Sequence, residues 1–289
     1  MEPMNHEEAR SHIGAWCAEH LGEHLGAQVA ALARTGFVLQ RVRPDRPATG
    51  GCRLGGPALL EPGAPWPDYE GIPLTLLAVV DLTELAPWLG DELPPPLRSG
   101  LLNFFYLQPD PGHRELYDRY SALFALDFYD PRLCRVVPAD PLRAVEAETP
   151  PGALVFDRTP LHAAPVVTLP SMNNGDEVYD NLDYGDASEA LDPFGPALYV
   201  MYSLDEDEEI RLLYAKEGLE RGPVCTDQFF GWPWWIDHTP KNTRHKHLLT
   251  LGGKELWSWG DGGYLHFLIE PEALRNGDFS QVVAEPDGW

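Results

Sequence analysis

Between residues 6 and 34, Ile13, Trp16, Cys17, Leu21, Leu25, Val29 and Leu32 recur at spacings of three and four. That period puts them on one stripe of an amphipathic helix. Asn5, followed by Glu7 and Glu8, supplies an N-terminal capping region, and Gly36 a stop. The rhythm then changes. The segment 37-FVLQRV-42 predicts a short strand, and 74-LTLLAVVDL-82 is an apolar run of the kind that forms a strand covered on both faces. Further strands are predicted at 100-GLLNFFYL-107, 122-ALFALDFY-129, 133-LCRVV-137 and 165-PVVTL-169. Glu84–Gly90 suits a helical turn, and Pro94–Pro96 cannot lie inside a sheet. The segment 196–215 fits either a strand or a buried helix. Towards the end, His245–Leu251 and Tyr264–Ile269 read as strands with a turn over 257–263. Asp-Gly between apolar strands is a hairpin signal, because glycine supplies the positive φ of the turn. In 271-PEALRNGDF-279, Pro271 suits the first turn of a short helix and Gly277 its end.

These elements imply an α+β protein, mostly antiparallel or mixed β-sheet with peripheral helices. Residues 1–43 form an N-terminal helix and strand packed on the core, and residues 44–289 form the α+β domain. Halves at 44–170 and 194–289 share a plan of apolar strand, Gly-rich connection, aromatic strand and short helix, which suggests an internal pseudo-duplication. The Pro- and Gly-rich stretch 44–73 carries Trp66 and Tyr69, which mark an ordered, packed loop. The polar, acidic stretch 171–193 is a surface loop or a break between the halves.

Composition narrows the partners. Of 289 residues, 45 are acidic and 21 basic, for a net charge of −24. A field of that sign repels nucleic-acid phosphates and anionic membranes and attracts basic partners, although it also serves solubility alone. A hydrophobic fraction of 44% is enough for a real core, while 27 glycines and 29 prolines argue against an all-helical bundle. Cys17, Cys52, Cys134 and Cys225 are scattered without a C-x-x-C pair, which fits reduced thiols better than disulfides or zinc. The acidic N-terminus lacks the basic start of a signal peptide, and no apolar run is long enough to span a bilayer. The expected location is the cytoplasm.

Four constellations are candidates for chemistry. In 257-WSWGDGGYLHFLI-269, Asp261 could act as a ligand or base, but no second acid accompanies it in sequence and a hairpin turn explains it better. His238, His245, His247 and His266 form a histidine set, and alternation puts His245 and His247 on one face, with His266 within reach of a paired strand. H-x-H without a spaced carboxylate or cysteine is a weak metal signal, so partly exposed or capped sheet histidines are expected and no metal or cofactor is assigned. In 229-FFGWPWWIDH-238, Trp232, Trp234 and Trp235 either plug the end of a sheet or line a groove. The run Asp205, Glu206, Asp207, Glu208 and Glu209 is a solvated charge run or a docking surface for a basic protein. Phosphate-loop, zincin, nucleophile-elbow and kinase motifs are absent.

Several of these segments occur together in one family. The stretches 54-LGGPALLEPGAPWP-67, 76-LLAVVDLTEL-85, 100-GLLNFFY-106, 230-FGWPWWID-237, 248-LLTL-251 and 259-WGDGGYLHFLI-269, with Phe279, resemble the YwqG-like family of bacterial domains over about residues 50–285. The resemblance implies a mixed, largely sheet α+β fold and brings no established activity, cofactor or catalytic residue. Some relatives resemble components of toxin–immunity neighbourhoods. Similar sequences tend to carry Asp-Ser-Asp after the L-L-x-L strand, where this chain has Gly252, Gly253 and Lys254, so no site is expected there.

The expected function is that of a non-enzymatic interaction protein, immunity- or adaptor-like, binding a basic protein through acidic residues 205–209. The alternative is a ligand-binding protein or hydrolase with a pocket formed by Trp66, Trp232, Trp235, His238 and Asp261. Nothing in the sequence sets an oligomeric state.

Overall fold

A computed structural model describes residues 6–94, 97–124, 130–170, 178, 181–183, 198–203, 212–214, 227–236, 244–253, 257, 259 and 262–288. In chain order the elements begin with α1 (His6–Leu21), α2 (Glu23–Ala31) and β1 (Arg34–Arg41). There follow β2 (Arg53–Leu54), β3 (Ala58–Leu60), β4 (Asp68–Tyr69), β5 (Ile72–Pro73), β6 (Thr75–Asp81), α3 (Leu82–Leu89) and β7 (Leu101–Tyr106). Next come α4 (Arg114–Phe124), β8 (Cys134–Ala139), β9 (Val145–Ala147) and β10 (Thr159–Thr168). The last group is β11 (Leu198–Ser203), β12 (Leu212–Tyr214), β13 (Asp227–Phe230), β14 (Lys246–Gly252), β15 (Tyr264–Ile269), α5 (Pro271–Asn276) and β16 (Val282–Asp287). The fold is sheet-rich α+β, as the patterning implies. The chain divides into a first unit of Met1–Leu39, Ala164–His266 and Pro286–Trp289, and a second of Gln40–Ala163 and Phe267–Glu285.

In the first unit the amphipathic stripe is real but the helix is not continuous. Gly22, at φ 78°, breaks it into α1 and α2. Ile13, Trp16, Cys17, Leu21, Leu25 and Val29 are nonetheless buried. Gly26 packs so tightly on the Cys17 carbonyl that a Cβ there would lie 2.6 Å from it. Gly36 does not end a helix. It sits inside β1, opposite Phe230 of the antiparallel partner β13, where a Cβ would meet the Phe230 carbonyl at 2.5 Å. β13 in turn pairs antiparallel with β14, and β11 pairs with β10 and β12.

In the second unit β2, β6, β7 and β8 are antiparallel neighbours in that order, and β10 pairs with β2 at Thr159 and Pro160. The small sheets β3–β9 and β4–β5 accompany them. Asp81 closes β6 and caps α3. One carboxylate oxygen accepts from Thr83 N at 3.1 Å, the other from Gly51 N at 2.9 Å. The strand expected at 122–129 is not formed at its start, since residues 122–124 complete α4. The helical period of 114-RELYDRYS-121, with an Arg114–Asp118 pair one turn apart, extends through them. Residues 125–129 lie outside the described residues.

One local solution occurs in both units. β2 runs into Gly55 and Gly56 at φ 56° and 71°, and β13 ends on Phe230, followed by Gly231, at φ 56° and 75°. Left-handed residues turn their carbonyls out of the ladder, and buried carbonyls need partners. The Arg53 guanidinium donates to the carbonyls of Gly55 and Pro57. The Gln228 amide donates to those of Phe230 and Trp232, at 2.8 Å each. In each case a side chain on the strand serves the carbonyls two and four residues ahead.

A second clamp lies on β7. Asn103, fully buried, accepts from Leu59 N and donates to Leu59 O, both at 2.8 Å, and to Val137 O at 3.1 Å. It ties β3 to the sheet. Asn103→Leu keeps the volume and strands these backbone groups. It should lower unfolding free energy by about 2–4 kcal/mol, measured by denaturant titration.

Candidate functional site

The sequence-predicted residues divide by placement. Trp66 belongs to the second unit, where its Nε1 donates to Leu74 O at 2.8 Å and its ring meets Phe105 edge-on at 5.1 Å. Trp232 and Trp235 lie in the first unit, on the loop that leaves β13. Trp232 is held from three sides: its Nε1 donates to Leu32 O at 2.7 Å, its backbone N donates to Thr168 Oγ1 at 2.7 Å, and Arg34 lies over its ring at 3.3 Å. Trp235 is among the largest fully buried side chains, and its ring centroid is 4.0 Å from that of His266. Trp234 packs on Val38 and Val166. His238, Asp261 and the acidic residues 205–209 lie outside the described residues, as does Cys225.

His247 and His266 come together more closely than H-x-H suggests and are buried and hydrogen-bonded, whereas His245 is partly exposed. β14 and β15 are sheet neighbours, which brings His247 and Thr250 beside His266. His247 Nδ1 is 3.1 Å from Phe230 O, and its Nε2 is 2.7 Å from Thr250 Oγ1. Thr250 Oγ1 is 2.8 Å from His266 Nδ1. His266 Nε2 lacks a hydrogen bond and faces Asp287 Oδ2 at 3.6 Å. The same carboxylate oxygen accepts from Ile236 N at 2.6 Å. His266 and Asp287 are 0% exposed, and His247 and Thr250 2%.

The directions of these bonds follow from chemistry. A carbonyl only accepts, so His247 carries its proton on Nδ1. Burial, and next the neighbouring His266, push the His247 ring down to about 3, so it is neutral and its Nε2 accepts from the Thr250 hydroxyl. The Thr250 oxygen then accepts from His266 Nδ1–H. The order Asp287, His266, Thr250 imitates a nucleophilic triad, but the Thr250 proton is committed to His247 and the hydroxyl is sealed inside. The arrangement orders the protons of its hydrogen bonds; it does not present a nucleophile.

The thiols are equally withdrawn. Cys17, Cys52 and Cys134 are free and buried, and burial pushes each up to about 12. Among the described residues no cluster of three or more His, Cys, Asp or Glu could hold a metal ion, and no helix is long and apolar enough to cross a membrane.

Thr250 and Asp287 were not legible as partners of the histidines. The available signal was a single polar residue inside an apolar strand: Thr250 in 248-LLTL-251, His266 in 264-YLHFLI-269, and likewise Asn103 in 101-LLNFFY-106. A polar group at such a position needs an internal partner.

These features define a sheet-rich α+β protein whose interior polar side chains serve its own backbone and one another. The chain belongs to a family known as a domain of unknown function, DUF1963, whose model matches residues 52–287. That span runs from just before Arg53 to Asp287, so it includes both carbonyl clamps and the buried histidine chain. A search of curated proteins finds no match.

The depressed His247 ring makes folding pH-dependent. The unfolded imidazole, near 6.5, takes up a proton that the folded one refuses until about 3. The contribution is therefore complete above about 6.5 and is lost as pH falls toward about 3. Unfolding free energy should drop across that window, with His247 contributing a slope of up to about 1.4 kcal/mol per pH unit. His247→Gln should show a shallower slope when both proteins are titrated with denaturant at each pH.

Proposed function

We propose that the protein is a YwqG-like, non-enzymatic module of the cytoplasm that binds a basic protein partner through acidic surface, in an immunity- or adaptor-like role. The observation that carries this reading is the charge imbalance, 45 acidic against 21 basic residues. Such a field accelerates and selects encounters with cationic surfaces and disfavours nucleic acid and anionic membrane. Support also comes from the interior. The tryptophans that could have lined a groove, Trp232 and Trp235, are buried in packing. The described histidine–carboxylate pair is sealed as well. The reading assigns Asp205, Glu206, Asp207, Glu208 and Glu209 to the partner surface and calls for no cofactor.

The same reading includes an internal duplication. Its support is the paired strand orders β2-β6-β7-β8 and β13-β14-β15-β16. The two carbonyl clamps stand on the first strand of each set. A buried polar residue, Asn103 or His266, is third in the third strand of each. The last strands carry 135-RVVPAD-140 and 281-QVVAEPD-287.

Affinity for a basic partner recovered at low salt should fall at least tenfold when ionic strength rises from about 0.05 M to about 0.5 M. Neutralising residues 205–209 to Asn and Gln should weaken binding about three- to tenfold and leave the melting temperature unchanged. Both are measurable by calorimetry and thermal scanning. Salt-independent affinity, or no protein partner at low salt, would sink the reading.

A further inference from the structure

We propose that the outer edge of β9 is a docking site for an extended basic segment of a protein partner, which adds to β9 as a further strand. The inference rests on the basic-partner reading above and names where such a partner is held. The argument starts at Asn103, whose side chain takes both Leu59 N and Leu59 O. Along a strand, the N–H and C=O of one residue point to one edge and those of its neighbours to the other. Leu59 therefore turns its backbone groups away from β9, although it stands opposite Glu146 in the antiparallel register. The two strands are joined through the flanking pairs, Ala58 with Ala147 and Leu60 with Val145. In such a ladder, facing residues that exchange no hydrogen bonds point these groups outward on both sides. On the β3 side Asn103 fills them. On the β9 side the N–H and C=O of Glu146 have no backbone partner among the described residues. An open edge of this kind is a template for another strand.

The side chains along the edge say what fits it. Val145 and Glu146 are exposed and Ala147 is half-buried. Three of the five exposed large apolar residues among those described, Leu142, Val145 and Val155, fall in the stretch 142–155 that contains β9. Single exposed apolar residues mean little, but a run of them beside an unpaired edge marks an interaction site.

Charge selects the occupant. Glu61, Asp140, Glu146 and Glu148 flank the strand against Arg143 and Arg158. Arg143 pairs with Glu61 at 2.8 Å, and Arg158 pairs with Glu146. Glu148 is exposed and has no ion pair among the described residues. The balance is acidic here, as it is for the whole chain. Alternation puts Glu146 on the opposite face from Val145 and Ala147, and Glu148 follows two residues on. An added strand that alternates cationic and apolar residues matches both faces at once.

The test uses the whole protein and a short fluorescent peptide of alternating Lys and Val. The peptide should bind wild type, more weakly as salt rises. Glu146→Pro removes the outward N–H and leaves the ladder with β3 intact, a position where proline is tolerated. Glu146→Gln removes the carboxylate and keeps the N–H. E146P should bind the peptide at least about tenfold more weakly than E146Q, as expected for a blocked backbone pairing. The two variants should share a melting temperature, whereas Ala147→Pro, whose N–H faces β3, should melt lower. A second arm needs no variant. N-methylation of either the lysine amides or the valine amides blocks one edge of the peptide at a time. The side-chain pattern fixes which edge faces β9, so one methylated peptide should lose binding to wild type and the other keep it. Equal affinities for E146P and E146Q, or for the two methylated peptides, would overturn the proposal, as would no peptide binding to wild type at low salt. The acidic-surface reading is judged separately: if neutralising 205–209 releases the basic partner while E146P keeps it, that reading stands and the edge site falls.

Discussion

Where β2 and β13 leave their sheets, two successive left-handed residues turn backbone carbonyls toward the interior, and everything downstream depends on satisfying them. An unpartnered buried carbonyl costs about 1–3 kcal/mol. Each turn has two carbonyls served by one side chain, Arg53 or Gln228. That service lets the chain double back tightly enough for the following segment to pack. In the first unit the segment is the tryptophan loop, and in the second it is β3. The two solutions differ in charge. Burial, and next Arg158, lower Arg53 to about 10, which is the cost of placing a cation where the other unit uses a neutral amide.

The same constraint explains the buried histidines. His247 is placed by the Phe230 carbonyl, whose other partner is Gln228. The geometry of the turn therefore sets the tautomer of the first imidazole, and through Thr250 that of the second. Asn103 does the equivalent work in the second unit by engaging the Leu59 peptide directly. Asn103, in the middle of an apolar strand, fastens β3 to a strand with which it forms no ladder, whereas His247, Thr250 and His266 link strands that are already sheet neighbours.

How much of this was legible can be argued from particular residues. The apolar runs at 74–82, 100–107 and 264–269 became β6, β7 and β15, because continuous burial leaves little choice of structure. Pro271 and Gly277 bounded α5 as their backbone preferences require. Gly36 misled, because a glycine demanded by a crossing strand looks the same in sequence as one that ends a helix. Phe124 misled because three apolar residues at a helix end look like a strand start. The clamps were hidden for a different reason. Arg53 and Gln228 differ in size and charge and share only a terminal N–H donor, and Gly55 and Phe230 share only a backbone angle. The candidate site was half legible: the histidines stood out, while Thr250 and Asp287 are ordinary residues given meaning by strand neighbours. Trp232 and Trp235 stood out too, but composition alone does not separate a lining from a filling.

The adjacent glycines of the W-G-D-G-G segment illustrate a last distinction. Gly262 sits at φ 103° with open space where a side chain would go. Gly263 has an ordinary backbone angle, but a Cβ there would fall 1.9 Å from the Asp287 carbonyl. One is glycine for its handedness, the other for its emptiness. Alanine would damage both, so substitution by natural amino acids cannot tell them apart. Chemical synthesis can: a D-residue suits the mirror-image backbone at 262 and relieves strain without adding size where size matters. The single motif is therefore two independent requirements, one written in torsion and one in volume.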